Sequence, residues 1–259
     1  MRVTTLRVLL VAFATGMPAS AYAQNQRGPA HVALGAAAKQ ARKPEEALRH
    51  FQAALAADSL NFDANCQAAL AAADIVRQRS DDKHDPDGYY ALGIKYARRA
   101  VAIDSTKAEG HLVLALTLGY DALHMAPESR LETAEEIWRE VHKALALNPK
   151  DDRPYHVLGR WHAELARFSW AKLIIRMKLH ALTDSASWEA AAANMERAAQ
   201  LAPKFIYHHL DLAETYVSMK RPADARPHLA LIDSLPISDV RDSIYKVEAK
   251  KLLTKIKDD

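Results

Sequence analysis

The sequence predicts an all-α fold, a right-handed superhelix built from about five helix pairs stacked side by side. Three observations carry that expectation. About one of the 259 residues in five is alanine, the best helix former, while glycines number 8 and aromatic residues make up 7%. A helix-ending pattern of small, apolar and turn residues recurs four times. The anchors of that recurrence are spaced by 34 residues, or by 34 plus an insertion. With 49% hydrophobic residues the chain can bury a sizeable core, as one extended domain or at most two compact ones.

Residues 1–23 read as a secretory signal. Arg2 and Arg7 form a positive start, Val8 to Ala14 a short apolar run, and Gly16 and Pro18 break it. Ala21-Tyr22-Ala23 is the small-x-small pattern cut before Gln24, and the run is too short to span a membrane. Cleavage would remove two arginines and no acid, taking the net charge from +3 to +1. The mature chain, 24–259, is then expected to be periplasmic or extracellular, without a transmembrane span. Neither charge is strong enough to indicate a nucleic-acid surface. Cys66, the single cysteine, excludes an intramolecular disulfide framework and any thiolate metal cluster, and its alanine-rich surroundings read as buried.

The four recurring endings are Ala54 to Ser59, Ala100 to Ser105, Ala144 to Pro149 and Ala198 to Pro203. Their order of a small residue, an apolar residue and a closing turn resembles the end of a tetratricopeptide repeat. The first half of that repeat has counterparts in Leu34-Gly35, Leu158-Gly159 and Leu212-Ala213, with Ala47, Ala191 and Ala225 as the paired small residues. Small side chains let two helices approach closely, which is the physical reason for the pattern. Arg42-Lys43-Pro44 in the first unit echoes Lys220-Arg221-Pro222 in the last, with proline in the first turn of a second helix.

These anchors define units near 28–61, 62–107, 108–151, 152–205 and 206–239, followed by a cap over 240–259. Units two, three and four exceed 34 residues, and each excess is expected between the two helices of its unit, where a longer connection adds little loop entropy. Asp85-Pro86-Asp87 reads as the cap and first turn of a helix, and Met125 to Leu131 as a polar connector. The tail from Ser238 to Lys257 reads as an amphipathic helix capped by Ser238, with Val240, Ile244, Val247, Leu252 or Leu253 and Ile256 facing inward. It would cover the last apolar face of the stack.

The excess in unit four carries a second amphipathic helix. Trp170, Leu173, Ile174 and Met177 share one face, Phe168, Ile175 and Leu179 another, and Lys172, Arg176 and His180 form a basic stripe between them. No acid occurs from Leu165 to Thr183. Two apolar faces fit a helix wedged over the inner side of the stack, a wall of an apolar ligand groove, or contact with an anionic membrane surface. Arg160 could neutralise an anionic head group or make a buried salt bridge. The four tryptophans, Trp138, Trp161, Trp170 and Trp188, lie close together in sequence and mark either the widest core or a pocket wall.

The run Leu158-Gly159-Arg160-Trp161, then Phe168-Ser169-Trp170, Ser185 to Trp188, and Pro203-Lys204-Phe205 resembles the regulator of microtubule dynamics family. Gly159, Arg160, Trp161, Ser169, Trp170, Pro203 and Phe205 carry the resemblance, which covers roughly residues 88–235. It implies a helical-repeat domain that binds partners, with phospholipid binding or transfer as a second possibility. It also suggests association with microtubules. The signal segment stands where several eukaryotic members carry a membrane anchor and coiled coil.

No Gly-rich phosphate loop, G-x-S-x-G elbow or H-E-x-x-H helix occurs, so no enzyme activity and no cofactor are expected. The twelve histidines lack the i, i+4 spacing of helical metal ligands and read as solvated or capping groups, so no metal is expected. Two functions follow. The first is a non-catalytic exported scaffold that binds a protein or peptide partner. The alternative is a carrier of an apolar ligand or anionic phospholipid, held by Arg160, Trp161, Trp170, Lys172, Leu173, Ile174, Arg176 and Met177.

Overall fold

The computed structural model describes residues 19–79, 85, 87–167 and 186–258. Among these, all regular structure is α-helical. The helices are α1 (Ala19–Gln40), α2 (Pro44–Ala57), α3 (Phe62–Arg77), α4 (Tyr89–Ile103), α5 (Ala108–Ala122), α6 (Pro127–Leu147), α7 (Asp152–Arg167), α8 (Trp188–Leu201), α9 (Ile206–Ser218), α10 (Pro222–Ile232) and α11 (Asp242–Asp258). Each odd-numbered helix from α1 to α9 packs on the helix that follows it, and each even-numbered helix packs on the next pair. Odd-numbered helices also touch one another, α3 on α5, α5 on α7 and α7 on α9, while α11 closes the stack against α10 and α9.

Alanine is the spacer of this packing. Ala47, Ala54, Ala97, Ala100, Ala144, Ala191 and Ala198 are all buried at the seams. Gly159 shows why the residue there must be small: a Cβ on it would fall on the Met195 side chain and lie 3.2 Å from the Ala191 carbonyl oxygen of α8. The α1–α2 and α9–α10 turns are tight, and each places a non-glycine residue, Arg42 (φ 56°) or Lys220 (φ 59°), in the left-handed region. Pro44 and Pro222 then open α2 and α10.

A polar staple recurs at the start of four first helices. Their fourth residues, Asn65, His111, Tyr155 and His209, each donate to the carbonyl oxygen six positions earlier, on Ser59, Ser105, Pro149 and Pro203, at 2.9–3.2 Å. The staple satisfies a carbonyl in the turn between units and fixes how the chain enters the next pair. His111 and His209 reach outward with the other ring nitrogen, to Glu140 (2.5 Å) and His228 (3.0 Å) on the second helix of the pair. His31 and His50 make a similar contact in the first pair, at 3.2 Å.

Several expectations need correction. The histidines are not mainly solvated: His111, His156, His162, His208 and His209 are buried, which pairing with carboxylates, carbonyls and other histidines makes tolerable for most of them. The excess of unit three lies mostly in a longer α6 rather than in a connector, because Pro127 starts the helix and α5 ends at Ala122. α4 begins at Tyr89 rather than at Pro86, with Asp85 accepting from the Tyr89 and Tyr90 N–H groups at 2.9 and 2.7 Å. Ser238 does not cap α11, which starts at Asp242. Val247 is 51% exposed, while Ile256 is buried as expected, together with Tyr245 and Ala249. Cys66 is buried, which pushes its thiol up to about 12.

Candidate functional site

Helical spacing brings side chains from the five odd-numbered helices α1 to α9 to a shared cavity of about 160 Å³. α3 contributes Leu70, Asp74 and Arg77, spaced by one turn each along a single face, and α5 contributes Leu116 and Tyr120 in the same way. Lys39 comes from the end of α1, Arg153 and His156 from α7, and Phe205, Tyr207 and His208 from the start of α9. Asp239, in the connection before α11, lines the cavity too.

Two polar networks frame it. In the first, Arg77 is almost buried and holds Asp74 at 2.5 Å and Asp239 at 2.9 Å, with its guanidinium 4.8 Å over the Tyr120 ring. Burial pushes the Asp74 carboxyl above its usual range despite the Arg77 charge beside it. Burial also lowers the Lys39 pKa, against the pull of Asp74, and Lys39 donates to Gln67 at 2.7 Å. In the second network, Asp152 accepts from His208 Nε2 at 2.7 Å, and His208 and His156 share a hydrogen bond between their Nδ1 atoms at 2.9 Å. His156 Nε2 then lies 3.2 Å from Asp211, which also takes Arg160 at 3.1 Å. Both nitrogens of His208 are therefore occupied, and burial lowers its pKa against the opposing effect of Asp152.

Burial alone would raise the Asp211 pKa; the Arg160 guanidinium and the His156 contact overcome it and hold the carboxyl below its ordinary value. One turn further along α9, Glu214 is pushed up to about 7 by burial first and by the Asp211 charge second. Arg160 also donates to the Tyr207 hydroxyl at 3.0 Å, and the Tyr207 ring stacks flat on Tyr245 of α11, with centroids 4.5 Å apart. The cavity thus offers fixed charges of both signs between aromatic rings, an arrangement suited to holding an extended polar segment.

Of the residues singled out from the sequence, Arg160 is engaged by Asp211 and Tyr207. Trp161 is 6% exposed, in the core against α6, with its Nε1 donating to the Ala134 carbonyl oxygen at 2.8 Å. Gly159 sits at the α7–α8 seam, Pro203 accepts the His209 staple, and Phe205 meets His208 edge-on at 4.7 Å. Ser169, Trp170, Lys172, Leu173, Ile174, Arg176 and Met177 lie outside the described residues. Sequence reasoning missed Lys39, Asp74, Arg77, Tyr120 and Asp239. A signal existed for one pair: Asp74 and Arg77 interrupt and end the apolar run of α3.

Comparison with known proteins agrees with this architecture. A thermophilic TPR protein of Thermus thermophilus superposes with a TM-score of 0.66 at 17% identity, covering 88% of this chain and 99% of that one. The pilF protein of Pseudomonas aeruginosa gives a TM-score of 0.52 at 16% identity, covering 91% and 88%. Human Regulator of microtubule dynamics protein 1 is 28% identical over 162 residues, 62% of this chain and 52% of the relative. Rat Regulator of microtubule dynamics protein 3 is 25% identical over 178 residues, 68% of this chain and 38% of the relative. The chain thus spans about half the length of the first of these relatives and less of the second. With residues 32–257 matching as a continuous stretch, the chain belongs to the family of Regulator of microtubule dynamics protein 1-3.

Proposed function

We propose that this chain is a non-catalytic helical-repeat scaffold that holds a peptide segment of a partner protein in the cavity lined by its odd-numbered helices. The convergence of five first helices on one cavity with charged and aromatic walls is the observation that carries the reading. The even-numbered helices cover the pairs from the other side and contribute no lining residue to it. The tetratricopeptide-like fold supports a protein-binding role, and the family name supports a partner linked to microtubules. The Arg-flanked apolar run at the amino terminus supports export, which would supply a different partner. No helix among the described residues is long and apolar enough to cross a membrane.

Selection of a peptide library on the folded full chain tests the scaffold. Selected peptides should bind a Lys39→Glu variant about tenfold more weakly and an outer-face Glu46→Lys variant about equally well. Equal binding to the parent and Lys39→Glu, with both melting alike, would place the peptide elsewhere and overturn the reading.

A further inference from the structure

The connection between α10 and α11 reaches across the molecule. Asp239 meets Arg77, 162 positions earlier, through Nη2–Oδ1 at 2.9 Å and Nη1–Oδ2 at 3.4 Å, and the Arg77 side chain is only 7% exposed. Arg241 Nη1 donates to the Arg77 carbonyl oxygen at 3.2 Å. The shape of this segment is set from its own end of the chain. Asp242 Oδ2 accepts from the N–H groups of Ser238 and Asp239 at 2.6 and 2.7 Å, and Lys246 Nζ donates to the Leu235 carbonyl oxygen at 2.6 Å. α11 itself packs on α10 and α9. The segment is therefore built on the last helices and supplies Asp239 as one wall of a cavity whose other walls belong mainly to other helices.

Its contacts with α3 are hydrogen bonds and one ion pair rather than an apolar seam. The Arg77–Asp239 ion pair can be exchanged for an equivalent one from another chain, because a second carboxylate accepts the same two guanidinium hydrogen bonds. If Asp239 withdraws, the nearly buried Arg77 keeps Asp74 alone, and the vacated side of its planar guanidinium calls for another anion. Tyr120, Phe205 and Tyr207 flank that position and supply ring faces for neighbouring side chains.

Resting on the scaffold reading above, we propose that Asp239, held in place by its segment 238–241, is a built-in occupant of the anion position on Arg77 at the cavity wall, displaced by an extended partner segment that sets an aspartate or glutamate there. The tethered occupant acts at an effective concentration on the order of millimolar, so it excludes weak acidic peptides and admits a partner that binds better. The same contact thus sets both the chemistry of the partner and the threshold for its entry.

The test is fluorescence anisotropy of the full chain with a labelled synthetic peptide copying residues 234–243. Asp239→Asn removes the tethered carboxylate, and the chain should then bind the peptide about tenfold more tightly than the parent does. Asp239→Glu keeps the charge and should behave as the parent. A peptide with asparagine in place of the aspartate that corresponds to Asp239 should bind the Asp239→Asn chain about tenfold more weakly than the unaltered peptide. Circular dichroism and melting establish that each variant is folded. No gain in a folded Asp239→Asn chain, or equal binding of the two peptides to it, overturns the proposal. Library peptides that still depend on Lys39 would in that event leave the scaffold reading standing, so the two failures are distinct.

Discussion

Glu214 shows how burial sets the behaviour of one side chain in this protein. Its carboxyl is pushed up to about 7 from an ordinary 4.5, by burial and by the neighbouring Asp211. The folded chain therefore holds a proton there that the unfolded chain has released, and stability falls as pH rises between those two values. Glu214→Gln removes the loss. Because Glu214 keeps some solvent contact, the gain at pH 8 should be on the order of 1 kcal/mol rather than the full shift, and close to nothing at pH 4. Thermal melts of parent and variant at the two pH values check it; an equal difference at both would refute it. Arg160, next to it, illustrates the opposite balance, where an ion pair with Asp211 and a tyrosine hydroxyl compensates a half-buried charge.

At the scale of the element, helix pairs are set by how closely they approach. Gly159→Ala would gain up to about 1 kcal/mol of helix propensity but force Met195 and the α8 backbone aside, at about 1–3 kcal/mol. Met195 is 1% exposed and has little room to move, so overpacking should win, with a net loss of about 1 kcal/mol in chemical denaturation. A variant as stable as the parent would mean that α7 and α8 pack less tightly than described. The helix ends were partly legible. Pro44 and Pro222 mark second helices from sequence, and Ser187 caps α8 through the Ala190 N–H. The start of α6 was not legible, because its first turn is as polar as a loop and reads as part of the connector before it.

For the whole molecule, stacking brings α3 of the second helix pair against the connection before the last helix. The Arg77–Asp239 pair joins parts of the chain far apart in sequence, and Asp239 closes one wall of the cavity. The export proposed from residues 1–23 is a separate matter. We expect material recovered from the periplasm or medium of its host to begin at Gln24 on amino-terminal sequencing. A cytoplasmic product that retains Met1 would remove the export proposal and strengthen a partner inside the cell.

The sequence by itself determined the helical class, the repeat and the family, because these rest on local periodicity and on small residues at fixed spacing. Gly159, Arg160 and Trp161 could be read as a motif, yet their roles at a seam, in an ion pair and in the core depend on α8, α9 and α6. Only the tertiary structure decided where the cavity lies and which charges face it. Lys39, Arg77, Tyr120 and Asp239 come from four separate parts of the chain, and no local pattern links them. Their meeting is fixed by how the helix pairs stack, a property of the packing rather than of any segment.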